Sequence, residues 1–271
     1  MIKKYGLNIL QSLKPGGQKI VKLCSCQKYD KVVYKTGACV SRNSLERIIR
    51  EVTILKSINS IYFPKIYDFY YEDNGKFEIL EEYIESTPLS NCMGNYKSEK
   101  DVLNLLLEII NGMKLLWDKN IIHRDLKPDN ILIRPNKKPV IIDLGIARIN
   151  SDVSLTQSFN NYGPHTPIYS SPEQMINNKK LIDMRTDFYI LGIVTAELLM
   201  GKHPFDPSLV GGISIVENIQ CNNFSIILAN SQTENIKNLL LKMLQVKQYL
   251  RYKDYILLEN DILKIKEKLY E

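Results

Sequence analysis

The sequence predicts an α+β chain in two lobes: a small antiparallel-sheet lobe with one main helix over residues 1–84, and a larger helical lobe over residues 85–271. Three observations point there. Short runs rich in Ile, Val, Tyr and Phe crowd the first part of the chain. From Lys100 onward the apolar residues recur at spacings of three and four. No proline- or serine-rich linker, internal repeat or low-complexity tract separates the two patterns. The junction near Glu82 to Pro88 therefore reads as a hinge within one unit.

Taken in order, Lys19 to Cys26, Lys31 to Lys35, Phe63 to Tyr71 and Phe77 to Tyr83 are strand candidates. Between the second and third, Ser44 to Ile58 carries Leu45, Ile48, Ile49, Val52 and Leu55 on one helical face, with Ser44 or Asn43 as the N-cap. Beyond the hinge, Asp101 to Asp118, Arg185 to Met200 and Thr233 to Val246 read as amphipathic helices.

Composition bounds the function classes. A hydrophobic share of 44% suits a globular core, and 36 Lys and Arg against 30 Asp and Glu give a net charge of +6. The positive charge is scattered, which reads as a solvated surface and implies no specific nucleic-acid partner. The cysteines Cys24, Cys26, Cys39, Cys92 and Cys221 are odd in number and lack zinc-site spacing, so reduced thiols are expected. No secretory h-region, lipidation signal or membrane-length apolar run is found, and the expected location is cytoplasmic.

The chemistry is concentrated in Ile122-His123-Arg124-Asp125-Leu126-Lys127-Pro128-Asp129-Asn130-Ile131-Leu132. A second carboxylate, Asp143 in Asp143-Leu144-Gly145, ends the β-branched run Pro139-Val140-Ile141-Ile142, and a buried strand that delivers a carboxylate at its end suits a metal-binding loop. The first stretch resembles the catalytic loop of protein kinases and the second their metal-binding loop, with Leu144 where that family usually has Phe. Val32-Val33-Tyr34-Lys35 resembles the family's nucleotide-lysine strand, and Thr166-Pro167-Ile168-Tyr169-Ser170-Ser171-Pro172-Glu173 the end of its activation segment. These blocks follow the family's order from about Lys14 to Arg251.

The resemblance implies a two-lobed protein kinase fold that binds ATP with Mg²⁺, Mn²⁺ being the substitute ion, between the lobes. By the same resemblance Asp125 accepts the proton of the attacking hydroxyl, Lys127 stabilises the transferring phosphoryl group, and Asn130 and Asp143 are the metal ligands. Lys35 would hold the α- and β-phosphates, with Glu51 as its ion-pair partner and Glu46 as the rival. Gly16, Gly17 and Val21 would cover the nucleotide, and Glu82, Tyr83 and Ile84 would form the hinge beside the adenine. Glu81 falls at the gatekeeper position, where a carboxylate needs a partner that the sequence does not name. The loop Lys14-Pro15-Gly16-Gly17-Gln18-Lys19 keeps one of the three usual glycines, and Lys19 is expected to clamp phosphate.

Structural roles are implied for Glu173 paired with Arg251, for Asp187 bracing the catalytic loop, and for His123 packed beneath it. Lys127 together with Thr166 favours a protein substrate with a Ser or Thr acceptor over a tyrosine. Ser151, Ser154, Thr156 and Ser158 are candidate autophosphorylation sites read by Arg124, with a transient homodimer for the trans reaction. The rival readings are a pseudokinase scaffold, which the altered glycine loop suggests, and a nucleic-acid-binding module, which rests on net charge alone.

Overall fold

The computed structural model describes residues 1–13, 19–144, 148–149, 166–221 and 233–269. They divide into two compact units, Met1–Ser86 and Thr87–Glu271.

The first unit is a five-stranded antiparallel sheet in the order β1-β2-β3-β5-β4, with strands Asn8–Ser12, Lys19–Cys26, Asp30–Ala38, Ile66–Tyr71 and Lys76–Glu82 as β1 to β5. A short helix α1, Ile2–Tyr5, precedes it, and helix α2, Arg42–Lys56, follows β3. Strand periodicity sorts the side chains onto two faces. On one, Cys24, Cys26, Val32, Tyr34 and Leu80 form a buried cluster with Leu7. On the other, Phe77 and Ile79 pack against Ile48 and Val52 of α2. The Cys24-x-Cys26 spacing is thus the same-face pair of a strand, and both thiols are free.

Two features differ from the sequence expectation. Helix α2 begins earlier: Ser41, neither Ser44 nor Asn43, is its N-cap, its side chain accepting from the Ser44 amide at 3.2 Å. Strand β1 was not foreseen, because all five of its residues are exposed and an edge strand without a buried face carries no alternation.

The second unit is mainly helical. Helix α3, Glu99–Trp117, is capped by Ser98, and helix α5, Met184–Met200, is capped by Asp183 and stopped by Gly201 at φ 69. Helix α5 is buried almost all round, as its apolar run from Phe188 implies. Trp117 meets Phe188 edge-on with ring centroids 5.1 Å apart. The short helices α4 (Pro172–Met175), α6 (Pro207–Val210) and α7 (Ile215–Gln220), then α8 (Glu234–Met243) and α9 (Tyr255–Lys268), complete the helical set among the described residues. Helix α9, absent from the sequence reading, buries Leu258, Ile262 and Ile265 behind an Asp254 cap. A small sheet of β6 (Thr87–Pro88), β8 (Ile131–Ile133) and β9 (Pro139–Ile141), and a pairing of β7 (Ile121–Ile122) with β10 (Arg148–Ile149), carry the loops that matter for function.

Candidate active site

In the second unit, the β7–β8 connection turns at Arg124, whose φ of 72 is left-handed and disfavoured for a residue with a side chain. Asp187, at the start of α5, holds it there. Its carboxylate accepts from the amides of His123 at 3.0 Å and Arg124 at 2.9 Å and from the Trp117 indole at 2.9 Å. Burial raises the Asp187 pKa above the ordinary carboxylate value, opposed by nearby His123 and by these three donors. His123 is fully buried. Its Nδ1 accepts from the Asp125 amide at 3.3 Å, which leaves Nε2 to donate to the Ile142 carbonyl at 3.3 Å, so it is a packing residue of the loop.

This brace sets out a compact polar cluster. The Thr166 hydroxyl donates to Asp125 Oδ1 at 2.7 Å, and Lys127 Nζ donates to both Thr166 Oγ1 at 2.7 Å and Asp125 Oδ2 at 3.0 Å. Asn130 Nδ2 donates to the Asp125 carbonyl at 2.9 Å and to Oδ2 at 3.0 Å. With its amide nitrogen committed to Asp125, Asn130 has its oxygen left to meet a cation. Asp143, at φ 64, follows β9, and the Ile142 amide before it donates to the Asn130 carbonyl at 3.0 Å. Asn130 and Asp143 are oxygen donors too few to form a protein cage, and no cluster of three or more metal-ligating side chains exists among the described residues. That donor set fits Mg²⁺, which keeps waters and phosphate oxygens in most of its coordination sphere.

Glu173 and Arg251 are brought together in the core. Arg251 Nη1 and Nη2 donate to Glu173 Oε1 at 2.7 Å and Oε2 at 2.9 Å, and Thr186 donates to Oε1 at 2.8 Å. Burial pushes the Glu173 carboxyl up, but the bonds and charge of Arg251 outweigh it, and the net pKa is lowered. Gln174, which the sequence reading passed over, accepts from the Ser171 amide at 3.1 Å and donates to the Arg124 carbonyl at 2.8 Å, tying helix α4 to the loop.

In the first unit, the residues at issue share one sheet face. The β2–β3 register sets Val21 opposite Lys35, and the β3–β5 register sets Val33 opposite Glu81. Here the pairing departs from expectation. Lys35 Nζ lies 2.8 Å from Glu81 Oε2, and Glu51 of α2 receives Lys19 at 2.6 Å. Glu51 therefore meets Lys19, the residue expected to clamp phosphate, and the partner that the sequence left open for Glu81 is Lys35. Counting strand residues in twos from Lys35 and Glu81 could have found it, since cross-strand register then puts both on one face. Glu46 pairs with Arg42 on the exposed side of α2. At the hinge, Glu82 exchanges backbone and side-chain bonds with Lys65, Tyr83 has the Lys31 ammonium 6.0 Å from its ring centre, and Ile84 is buried. Gly16 and Gly17, with Lys14, and Ser151, Ser154, Thr156 and Ser158 lie outside the described residues.

Comparison with known proteins gives a consistent picture. The family model described as "Protein kinase domain" matches residues 10–261. A probable serine/threonine-protein kinase nek1 of Dictyostelium discoideum is 26% identical over 81% of this chain and 48% of its own length. Serine/threonine-protein kinase PrkC of Bacillus subtilis is 30% identical over 80% of this chain and 33% of its own length. A probable serine/threonine-protein kinase PknB of Lactococcus lactis is 31% identical over 63% of this chain and 27% of its own length. The chain thus spans half or less of each of these relatives.

Proposed function

Because the chain belongs to the protein kinase family, we propose that it is an ATP-dependent serine/threonine protein kinase whose working groups are Lys35, Asp125, Lys127, Asn130 and Asp143. One observation carries the reading: the Thr166 hydroxyl rests on Asp125 Oδ1 at 2.7 Å with Lys127 bonded to both. A protein's Ser or Thr hydroxyl needs the same carboxylate and ammonium, one to take its proton and the other to offset charge on the incoming phosphoryl group.

The rest of the chemistry is positioning. Bound Mg²⁺ would neutralise charge between the phosphates, held by Asn130 and Asp143. Lys35 offers an ammonium to the α- and β-phosphates, Val21 an apolar surface to the base, and Gly16 and Gly17 backbone amides to the phosphates. Asp187 and the Glu173–Arg251 pair touch neither reactant and fix the loop and helix that do. Autophosphorylation among Ser151, Ser154, Thr156 and Ser158, answered by Arg124, belongs to the same proposal, as does a transient encounter of two copies. The reading places the enzyme in the cytoplasm, and no helix among the described residues is long and apolar enough to cross a membrane.

Incubation with γ-labelled ATP, Mg²⁺ and a generic basic protein, followed by phosphoamino-acid analysis, tests it. Label on serine or threonine is expected, and Asp125→Asn should lower transfer by about 10²–10⁴-fold while nucleotide still binds. Transfer by Asp125→Asn at the wild-type rate would refute the assignment, and nucleotide binding without any transfer would make the chain a pseudokinase scaffold.

A further inference from the structure

Lys35 and Glu81 stand on neighbouring strands of one sheet, while Glu51 stands on a helix packed against it. From this we propose that Glu81 is the positioning residue of the nucleotide lysine, in the place expected of Glu51. The inference rests on Lys35 being the phosphate ligand. The β3–β5 register puts Lys35 opposite Ile79 and Val33 opposite Glu81, so the two long side chains leave the same face on a diagonal. Residues on such a diagonal are about 7–8 Å apart and their Cβ atoms somewhat closer, a span that Lys and Glu together cover. Their charged ends meet at 2.8 Å with side chains 14% and 6% exposed, largely out of solvent screening. An ammonium has three donors, so a bond to Glu81 is compatible with bonds to phosphate oxygens.

Glu51 is engaged elsewhere. It receives Lys19 at 2.6 Å, with side chains 2% and 13% exposed. Lys19 opens β2, directly after the glycine-bearing loop, and pairs in register with Gly37. The Lys19–Glu51 contact therefore joins the strand that leaves the phosphate loop to helix α2, and the Lys35–Glu81 contact is internal to the sheet. Packed helices shift by an ångström or two in switching proteins, whereas hydrogen-bonded strands hold register. The Lys35–Glu81 contact therefore ties the lysine to the β3–β5 ladder, whereas the Lys19–Glu51 contact ties α2 to β2.

Titration calorimetry with Mg²⁺ and a non-hydrolysable ATP analogue tests the inference, with thermal unfolding to show that each variant is folded. Glu81→Gln should raise the Kd about ten-fold, the scale of one charge-assisted hydrogen bond, and Glu51→Gln by less than a third of that factor. In a Lys35→Met background Glu81→Gln should change nothing further, because its effect passes through the lysine. An equal or larger effect of Glu51→Gln, or a Glu81→Gln effect that persists without Lys35, would overturn the proposal. Should Lys35→Met bind too weakly to read, the comparison of Glu81→Gln with Glu51→Gln decides alone. The readout is binding, so a wild-type chain that binds the analogue but transfers no phosphate would refute the catalytic reading and leave this cycle intact.

Discussion

Replacing Arg251 by Met removes the guanidinium that closes the core of the second unit, and the loss can be worked out bond by bond. Two charge-assisted bonds to Glu173 disappear, at 2.7 and 2.9 Å, together with donations to the carbonyls of Arg185 at 2.9 Å, Gln245 at 2.7 Å and Val246 at 3.3 Å. Glu173, 3% exposed, keeps only its bond from Thr186 among these contacts. A buried charge stripped of its partner costs about 3–5 kcal/mol. At roughly 2–4 °C of Tm per kcal/mol for a unit of this size, the variant should melt some 6–20 °C below wild type at pH 7.5 in a calorimetric scan. The pH dependence gives a sharper check. In the wild type the folded Glu173 pKa is lowered, so its contribution is full above the ordinary glutamate pKa and is lost as pH falls through the folded value. Without Arg251, burial dominates and raises the pKa, so protonation relieves the variant as the medium is acidified. The Tm gap between the two proteins should therefore narrow between pH 7.5 and 5, and Glu173→Gln added to Arg251→Met should recover part of the loss. A gap below 2 °C, or one that widens with acid, would refute the account.

Three further outcomes follow from the geometry. His203 accepts from the Phe205 amide at Nδ1 and reaches the Ile168 carbonyl through Nε2, and burial holds its pKa down to about 4. The folded state thus binds fewer protons than the unfolded one between about pH 6.5 and 4, and roughly 3 kcal/mol of stability, complete above that window, is lost on descending through it; urea midpoints of His203→Gln should lack that slope. Gly192 of α5 has no room for a side chain, since a Cβ there would sit 3.0 Å from Met243 and Leu244, so Gly192→Val should overpack the α5–α8 contact and cost about 1–3 kcal/mol by urea unfolding. Asp143→Asn replaces a charged metal ligand by a neutral one, so the Mg²⁺ concentration giving half-maximal activity should rise several-fold, and an unchanged Mg²⁺ curve would remove Asp143 from the metal site.

The helices that the sequence shows best are those whose buried face repeats over many turns: α3, α5 and α8 begin within two residues of their expected starts. Helix α9 has the same kind of signal in Leu258, Ile262 and Ile265, but it lies beyond Arg251, the last of the motif residues. Strand β1 offers no such signal, since none of its residues is buried. At the site, residues held within one loop, such as Asp125, Lys127 and Asn130, are legible because their spacing is their geometry. Ion pairs across the sheet are not. Whether Lys35 reaches Glu51 or Glu81, and which lysine Glu51 receives, depends on register and on how α2 lies on the sheet, neither of which a motif encodes. Gln174 was overlooked for a related reason: its partner, the Arg124 carbonyl, is a backbone atom that no sequence pattern marks.

The left-handed backbone at Arg124 has a consequence for substitution. An ordinary residue there costs about 1–2 kcal/mol that glycine would not, while glycine would forfeit about 0.5–1 kcal/mol through the freedom it gives the unfolded chain. The two nearly cancel, so backbone strain barely separates arginine from glycine at this position. Asp187 bonds the Arg124 amide and Gln174 its carbonyl, and glycine would keep both. The backbone at position 124 is therefore held by its two bonding partners and not by the identity of the side chain it carries.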